Sequence, residues 1–285
     1  ARSPQRAESC RESIVTSFKE IEAQKLMTEL QIDMCTSYLS FAESYEEMAD
    51  VDLFFECVTE DAEIKHGVYR DIENHCLNVQ AICSASSAIE VDELTKNANR
   101  YKDRIIITHP FNPPHMVPFF ELAAGRDTKE GVVELAVELL KKMGRKPVIL
   151  KKSAPGFIGN RLQYALWREA LYMVEKGIAD PEDIDTCLKY SFCPRYTSIG
   201  IFEHFDSGGM QLTYNVSKTI FPVLCDSKEP MQSIKENMKA GNLGRKTGKG
   251  FYDWRNVDPG VYNERVNAPY WRFFDWDFPS SPPSS

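Results

Sequence analysis

Two side chains near the middle of the chain could transfer a proton together. His109 follows residues 105–107, a run of isoleucines of the kind found in buried parallel strands. Three prolines after it prevent a central strand or helix from continuing, so an extended loop could bring Glu121 back towards the imidazole. A carboxylate beside a histidine fixes its tautomer and stabilises its charged form. The residues alone favour a plainer interpretation, in which a core histidine and a solvated glutamate have no catalytic role.

Other polar residues lie where a ligand crevice is expected. Residues 84–87 form a cluster of small, mostly hydroxyl side chains directly after an apolar strand pattern. Ligands of open α/β sheets bind at the carboxyl ends of strands, although the same cluster is typical of a helix N-cap. Asn160 opens a later helical pattern, where its amide could point into a site or simply begin the helix.

A basic, glycine-punctuated loop occupies residues 242–252, with the sequence Asn-Leu-Gly-Arg-Lys-Thr-Gly-Lys-Gly-Phe-Tyr. In an acidic protein such a loop could bind a phosphate or carboxylate, although runs of charge are usually solvated. The loop is not a P-loop, because its spacing differs and no strand precedes it.

Composition restricts the classes of function. The 285 residues are 42% hydrophobic, enough for the core of one large or two modest domains. A net charge of -8 argues against binding to nucleic acid or an acidic membrane, and no apolar run reaches the length of a membrane span. The eight cysteines contain no Cys-x-x-Cys pair and the five histidines are scattered, so we expect free thiols in a reducing compartment and no metal site.

The first half of the chain alternates between strand and helix patterns. The patterns predict strands at 51–58, 79–83, 105–107 and 147–150, a short strand at 38–42, and helices at 9–27, 60–72, 91–98 and 128–143. Strands that alternate with helices at this spacing favour an α/β fold with a parallel sheet.

The second half is predicted to be helical. Strand patterns end at Pro155, a long amphipathic helix runs to about Lys176, and Asp180-Pro181 marks the start of the next helix. We therefore expect an α/β domain at 1–152 and a helical domain at 153–254. Residues 255–285 form an aromatic, Ser/Pro-rich tail that could be a contact site or pack on its own domain, and residues 280–285 are expected to be disordered.

Three segments carry a family resemblance: His-Pro-Phe-Asn-Pro-Pro from 109 through Glu121, Pro-Gly-Phe-Ile-Gly-Asn-Arg-Leu-Gln from 155, and Gly-Arg-Lys-Thr-Gly-Lys-Gly-Phe-Tyr from 244. Together, over residues 12–254, they resemble the 3-hydroxyacyl-CoA dehydrogenase family, which includes 3-hydroxybutyryl-CoA dehydrogenases and the lambda-crystallin/L-gulonate 3-dehydrogenase branch. Residues 195–209 also fit the family's helical dimerisation domain. The resemblance implies an incomplete Rossmann-like sheet followed by an all-helical domain, NAD as cofactor, an acyl-CoA or hydroxy-acid substrate, and a homodimer in the cytoplasm or mitochondrial matrix.

The resemblance also implies roles for individual residues. His109 would take the hydroxyl proton as hydride leaves the substrate, and Glu121 would hold His109 and balance its charge. Ser86 would hydrogen-bond the substrate oxygen, and Asn160 would polarise the developing carbonyl. Cofactor contacts would come from five residues: Glu60, Lys65, Ser86, Asn112 and Lys246. This set is chemically coherent, because a base and oxygen-directed donors complement a nicotinamide that accepts hydride.

One departure from the family pattern is large. Family members begin with a strand, a Gly-x-Gly-x-x-Gly turn and a helix that binds the cofactor pyrophosphate. The first glycine of this chain is Gly67. The resemblance therefore implies that the sequence as given lacks this first β-α-β unit, which would leave a strand edge exposed.

The leading hypothesis is NAD-dependent oxidation of a 3-hydroxyacyl-CoA to a 3-ketoacyl-CoA, or the reverse reaction. One alternative is an L-gulonate-type hydroxy-acid dehydrogenase, supported by the segments around Asn112 and Asn160, whereas the loop at 244–252 favours acyl-CoA substrates. The other is a truncated, non-catalytic relative that dimerises or binds acyl-CoA.

Overall fold

The computed structural model describes residues 4–273. Two compact units are present: the first contains residues up to Ile158 and those from Tyr270 onwards, and the second spans Gly159–Pro269. Among residues 4–273, no helix combines the length and apolar character needed to cross a bilayer.

The first unit is built on a five-stranded sheet. Its strands are β1 (Leu53–Glu56), β2 (Ala81–Ser84), β3 (Ile105–Pro110), β4 (Phe119–Ala123) and β5 (Lys146–Ile149), hydrogen-bonded in that order. Strands β1, β2 and β3 are parallel, β4 is antiparallel to β3, and β5 is parallel to β4. The predicted α/β class is confirmed, but the prediction of a wholly parallel sheet is wrong at β4 and β5, which both run opposite to β1, β2 and β3. The reason is that the chain returns directly beside β3 without a crossover helix.

Helices cover both faces of this sheet. The first unit contains α1 (Pro4–Ala23), α2 (Glu29–Ser37), α3 (Ala62–His75), α4 (Val91–Leu94) and α5 (Val132–Lys142). Ile105 and Ile107 pack in a core cluster with residues of α3 and α4, whereas Ile106 packs in a second cluster with residues of α5. A strand buried on both faces explains the continuous isoleucine run in the sequence.

Near the N-terminus, two sequence predictions differ from the structure. Residues 38–42 form no strand, and the nearest edge strand, β1, pairs with β2 alone among the described residues. The predicted helix at 9–27 corresponds to α1, which starts earlier and ends at Ala23, and a second helix that was not predicted, α2, follows it. This helix begins at a capping box in which Thr28 and Gln31 bond each other's backbone amides. The Thr-x-x-Gln spacing was the available signal for this helix.

The second unit is helical, as predicted. It contains α6 (Gly159–Glu175), α7 (Pro181–Tyr190), α8 (Ile201–Ser207), α9 (Met210–Ile220), α10 (Gln232–Lys239) and most of α11 (Pro259–Phe273). The end of α11 belongs to the first unit, where Trp271 packs against Ile21, Met27 and Ile32. Part of the aromatic segment therefore packs on its own chain. The predicted disorder at 280–285 lies outside the described residues.

Candidate active site

The structure brings His109 and Glu121 together. They occupy directly opposed positions on β3 and β4, and Nδ1 of His109 lies 3.1 Å from Oε2 of Glu121. Glu121 is fully buried and His109 is 8% exposed. The return strand β4 produces this approach, where the sequence predicted only a loop. The strand has the sequence Phe-Phe-Glu-Leu-Ala, a mostly apolar run that is compatible with a strand but too short to predict one.

The same carboxylate also holds the turn that precedes α6. The backbone amide of Ile158 donates to Oε1 of Glu121 at 2.7 Å. The preceding residue, Phe157, has a left-handed φ of 46° and is 3% exposed. Because such a backbone is unfavourable for a bulky residue, the surrounding contacts must hold it in place.

Two aromatic rings flank the imidazole. The ring centroids of Phe111 and Phe157 lie 5.7 Å and 5.4 Å from that of His109. An apolar setting strengthens the interaction between the imidazole and Glu121. When Nδ1 of His109 carries the proton, its N–H donates a hydrogen bond to Glu121. Nε2 then has a free lone pair and can accept a proton from another group.

Glu60 and Ser86 are also in contact, beyond the carboxyl ends of β1 and β2. Oε1 of Glu60 accepts hydrogen bonds from the Ser86 hydroxyl at 2.6 Å and from the amides of Ser87 and Ala88, both at 2.9 Å. Burial alone would raise the pKa of the Glu60 carboxyl, but these hydrogen bonds and Lys65 hold it below its ordinary value. Ser86 also accepts from the amide of Ile89, which agrees with the turn-capping alternative for this cluster.

Lys65 is buried beneath this turn. Its side chain is 1% exposed, and Nζ lies 2.9 Å and 3.0 Å from the two carboxylate oxygens of Glu56 and 3.5 Å from Oε2 of Glu60. Sequence reasoning missed Glu56. A glutamate that ends an apolar strand, nine residues before a lysine, was its only signal.

The other predicted site residues have fewer contacts. Asn112 is exposed in the turn between β3 and β4, and Lys246 is exposed in the second unit. Asn160 is half-buried in the first turn of α6. The proposed roles of these three residues therefore remain predictions. In the described part of the chain, no group of three or more His, Cys, Asp or Glu side chains could hold a metal ion.

Asn160 lines a cavity of about 870 Å³ within the second unit. The lining includes five aromatic side chains, four amides, one carboxylate and no lysine, arginine or histidine; the aromatic residues are Tyr164, Trp167, Phe251, Tyr252 and Trp254. The carboxylate, Asp185, accepts a hydrogen bond from the hydroxyl of Tyr252 at 2.9 Å. Burial and this carboxylate raise the pKa of Tyr252 to about 12. The cavity is thus largely apolar and carries no positive charge of its own.

Two domain models of one family match the chain. Residues 1–153 match the 3-hydroxyacyl-CoA dehydrogenase NAD binding domain, and residues 156–254 match the 3-hydroxyacyl-CoA dehydrogenase C-terminal domain.

The chain is similar to several dehydrogenases whose names give different substrates. The chain is 33% identical to 5-formyl-3-hydroxy-2-methylpyridine 4-carboxylate 5-dehydrogenase of Mesorhizobium japonicum over 72% of this chain and 66% of that protein. It is 35% identical to L-carnitine dehydrogenase of Oceanobacillus iheyensis over 60% of this chain and 56% of that protein. The structure of (S)-3-hydroxybutyryl-CoA dehydrogenase from Ralstonia eutropha matches with 27% identity and a TM-score of 0.72, covering 88% of each chain.

The chain therefore spans between half and two thirds of the length of the first two relatives. Both domain models nevertheless match in order, and together they cover most of the sequence. The first of them confirms the predicted cofactor, NAD. This chain belongs to the 3-hydroxyacyl-CoA dehydrogenase family and carries its NAD-binding and C-terminal domains.

Proposed function

We propose that the chain carries the catalytic half of an NAD-dependent dehydrogenase that interconverts a 3-hydroxyacyl-CoA and a 3-ketoacyl-CoA. The observation that supports this function best is the buried contact between His109 and Glu121. A general base needs an oriented imidazole with one free nitrogen, and the two strands provide that orientation.

The proton transfer follows from this geometry. Glu121 holds Nδ1–H of His109, so Nε2 accepts the proton of the substrate hydroxyl. Bound NAD would supply the acceptor for the hydride that leaves the carbon carrying this hydroxyl. The buried carboxylate balances the positive charge that His109 gains, and the amide of Ile158 keeps that carboxylate in place. By resemblance, Ser86 and Asn160 are proposed to bind the substrate oxygen.

The residues fit NAD at its nicotinamide end. Glu60, Ser86 and His109 all lie at or beyond the carboxyl ends of parallel strands, where α/β sheets bind ligands. Asn112 and Lys246 remain proposed contacts by resemblance. A pyrophosphate cradle requires a glycine-rich turn before a helix, and residues 1–66 contain no glycine. The nicotinamide end can therefore be tested separately from the phosphate end.

A pair of proteins makes this test possible. The first is the chain as given; the second, the extended chain, is preceded by a strand, a Gly-x-Gly-x-x-Gly turn and a helix. Titration with NADH should show tight binding by the extended chain only. The extended chain should then also reduce acetoacetyl-CoA. Tight binding by the given chain would contradict the requirement for a glycine-rich turn. Absence of binding by both would favour a non-catalytic relative.

A second candidate substrate is a small hydroxy acid with a cationic head, as in L-carnitine. It is favoured by the cavity of the second unit, where aromatic rings and Asp185 suit a quaternary ammonium group and no basic residue is present to bind phosphates. Turnover of acetoacetyl-CoA by the extended chain, compared with oxidation of L-carnitine and of L-gulonate, separates these possibilities. Preferential use of L-carnitine or L-gulonate would replace the acyl-CoA proposal.

We further propose a homodimer formed through the second unit. Large apolar side chains of α8, α9 and the turn after them are exposed, including Phe202 at 88%, Leu212 at 62% and Phe221 at 70%. Apolar surface of this extent marks an interface in a soluble protein. Sedimentation should show a dimer, and a monomer at micromolar concentration would contradict the proposal.

The eight free cysteines support a reducing compartment, either cytoplasm or mitochondrial matrix.

A further inference from the structure

Glu56 is the centre of a buried hydrogen-bond network at the end of β1. The residue is 4% exposed, and its carboxylate accepts from Nζ of Lys65 at 2.9 Å and 3.0 Å and from the Tyr69 hydroxyl at 2.9 Å. The Ser84 hydroxyl and the amide of Val58 also donate to it, both at 2.7 Å. Three of these five hydrogen bonds come from α3, one comes from the end of β2, and one comes from the segment after β1.

The contacts of Lys65 account for all the protons of its ammonium group. An ammonium has three donors. Those of Lys65 are surrounded by both oxygens of Glu56, the carbonyl oxygen of Val58 at 3.4 Å and Oε2 of Glu60 at 3.5 Å. With its side chain 1% exposed, Lys65 has no proton left for an outside ligand.

Glu60 connects this buried pair to the surface of the candidate site. One of its oxygens lies near Lys65, and the other accepts from the side chain of Ser86 and the amides of Ser87 and Ala88. The side chain of Glu60 is 37% exposed, so it borders solvent where a ligand can approach. The contacts run from Glu56 through Lys65 and Glu60 to the turn at 86–88.

We propose that Lys65 is a positioning residue that holds Glu60 against the turn at 86–88, and that cofactor binding depends on Lys65 through this turn and not through a direct contact. The effect on cofactor binding rests on the proposed function, whereas the effect on the turn does not. The physical basis is charge balance. Two carboxylates share one ammonium, so removal of Lys65 leaves Glu56 and Glu60 to repel each other and frees Glu60 to leave the turn.

The test observes the turn directly, without any cofactor. Amide resonances of Ser87 and Ala88 are compared by NMR in the full chain, in Glu60→Gln and in Lys65→Met. In Lys65→Met both amides should move towards their positions in Glu60→Gln. The amide of Arg126, which donates to the carboxylate of Asp92 at 2.8 Å, should not move and serves as the control. Because Lys65→Met leaves a buried carboxylate unpaired, the double variant Glu56→Gln/Lys65→Met provides a second sample without that charge. It also lacks the attraction between Nζ of Lys65 and Oε2 of Glu60, so both amides should move in the same direction, although by less than in Lys65→Met because Glu56 no longer repels Glu60.

The second measurement is a double-mutant cycle on NADH affinity in the extended chain. Lys65→Met and Glu60→Gln should each weaken NADH binding by about tenfold, and the combination should weaken it little further, because both act through one contact. Unmoved amides in Lys65→Met, or losses of affinity that add, would overturn the proposal. If the extended chain binds no NADH, the proposed function fails while the amide comparison still decides the role of Lys65.

Discussion

Two carboxylates in the first unit are almost completely buried, and their surroundings differ in one decisive way. Glu121 contacts the imidazole of His109 and accepts from the backbone amide of Ile158. Glu56 is paired with a lysine and accepts three further hydrogen bonds, from Tyr69, Ser84 and Val58. The imidazole of the first pair keeps one ring nitrogen for a substrate, whereas the ammonium and the carboxylate of the second pair are enclosed by their own hydrogen-bond partners.

Two pairs on one sheet therefore have different expected roles: His109 and Glu121 take part in the reaction, and Glu56 and Lys65 stabilise the structure. His109 keeps one ring nitrogen available, and it lies at the carboxyl end of β3, where a ligand can reach it. Lys65 has its ammonium enclosed by acceptors. We therefore expect substitutions in the first pair to affect turnover and those in the second pair to affect stability and the turn at 86–88.

The largest expected effect is on turnover. In the extended chain, His109→Gln should lower kcat/KM by about a thousandfold, because a positioned general base contributes on this scale. Thermal unfolding should remain close to that of the parent. His115→Gln is the matched control, since His115 contacts Glu20 on α1 and has no role in the proposed reaction. Parental turnover in His109→Gln would show that His109 is not the general base.

The second effect is on stability. Lys65→Met should lower the free energy of unfolding by about 3–5 kcal/mol, because it leaves Glu56 buried without its counterion. Urea unfolding measures this change. Glu56→Gln/Lys65→Met should recover most of the loss, and a double variant as unstable as Lys65→Met alone would show that charge pairing is not the cause.

A smaller loss of turnover is expected for Glu121→Gln. An amide can still accept from Ile158, but it cannot balance an imidazolium, so kcat should fall by about a hundredfold. Steady-state assays of the extended chain measure this value. Parental kcat would place Glu121 with Glu56, as a structural residue.

The smallest effect concerns Tyr69. Tyr69→Phe removes one donor to Glu56 and should cost about 1–2 kcal/mol in urea unfolding. Burial and Glu56 raise the pKa of Tyr69 above its ordinary value, so its phenol stays protonated in the folded protein. The stabilisation is complete below the pKa of the unfolded tyrosine and is lost only as pH rises beyond it. The difference between variant and parent should thus stay constant between about pH 7 and pH 9, and a decline in that range would contradict this assignment.

The sequence contained enough information to place His109 and to suggest Glu121. A β-branched run ending at a histidine marks the end of a buried strand, and the prolines after it require a change of direction. The antiparallel pairing of β4 was not predictable in the same way. Residues 119–123 form too short an apolar run to distinguish a strand from a buried loop.

The network around Glu56 was beyond sequence reasoning. Periodicity places Lys65 on α3, but a lysine in a helix is usually solvated, and no local pattern shows that the ends of β1 and β2 enclose it. The pairing depends on how three separate elements pack. The cofactor contact expected of Lys65 came from the family resemblance, and the structure adds the internal hydrogen bonds that enclose its ammonium group.

The most direct measurement of the central claim is the tautomer of His109. In the neutral imidazole, ¹⁵N NMR of the full chain should show the proton on Nδ1, bonded to Glu121, and an unprotonated Nε2 ready to accept a proton. A neutral imidazole with its proton on Nε2 would contradict the account, because the free nitrogen would then face a carboxylate and could not serve as the base.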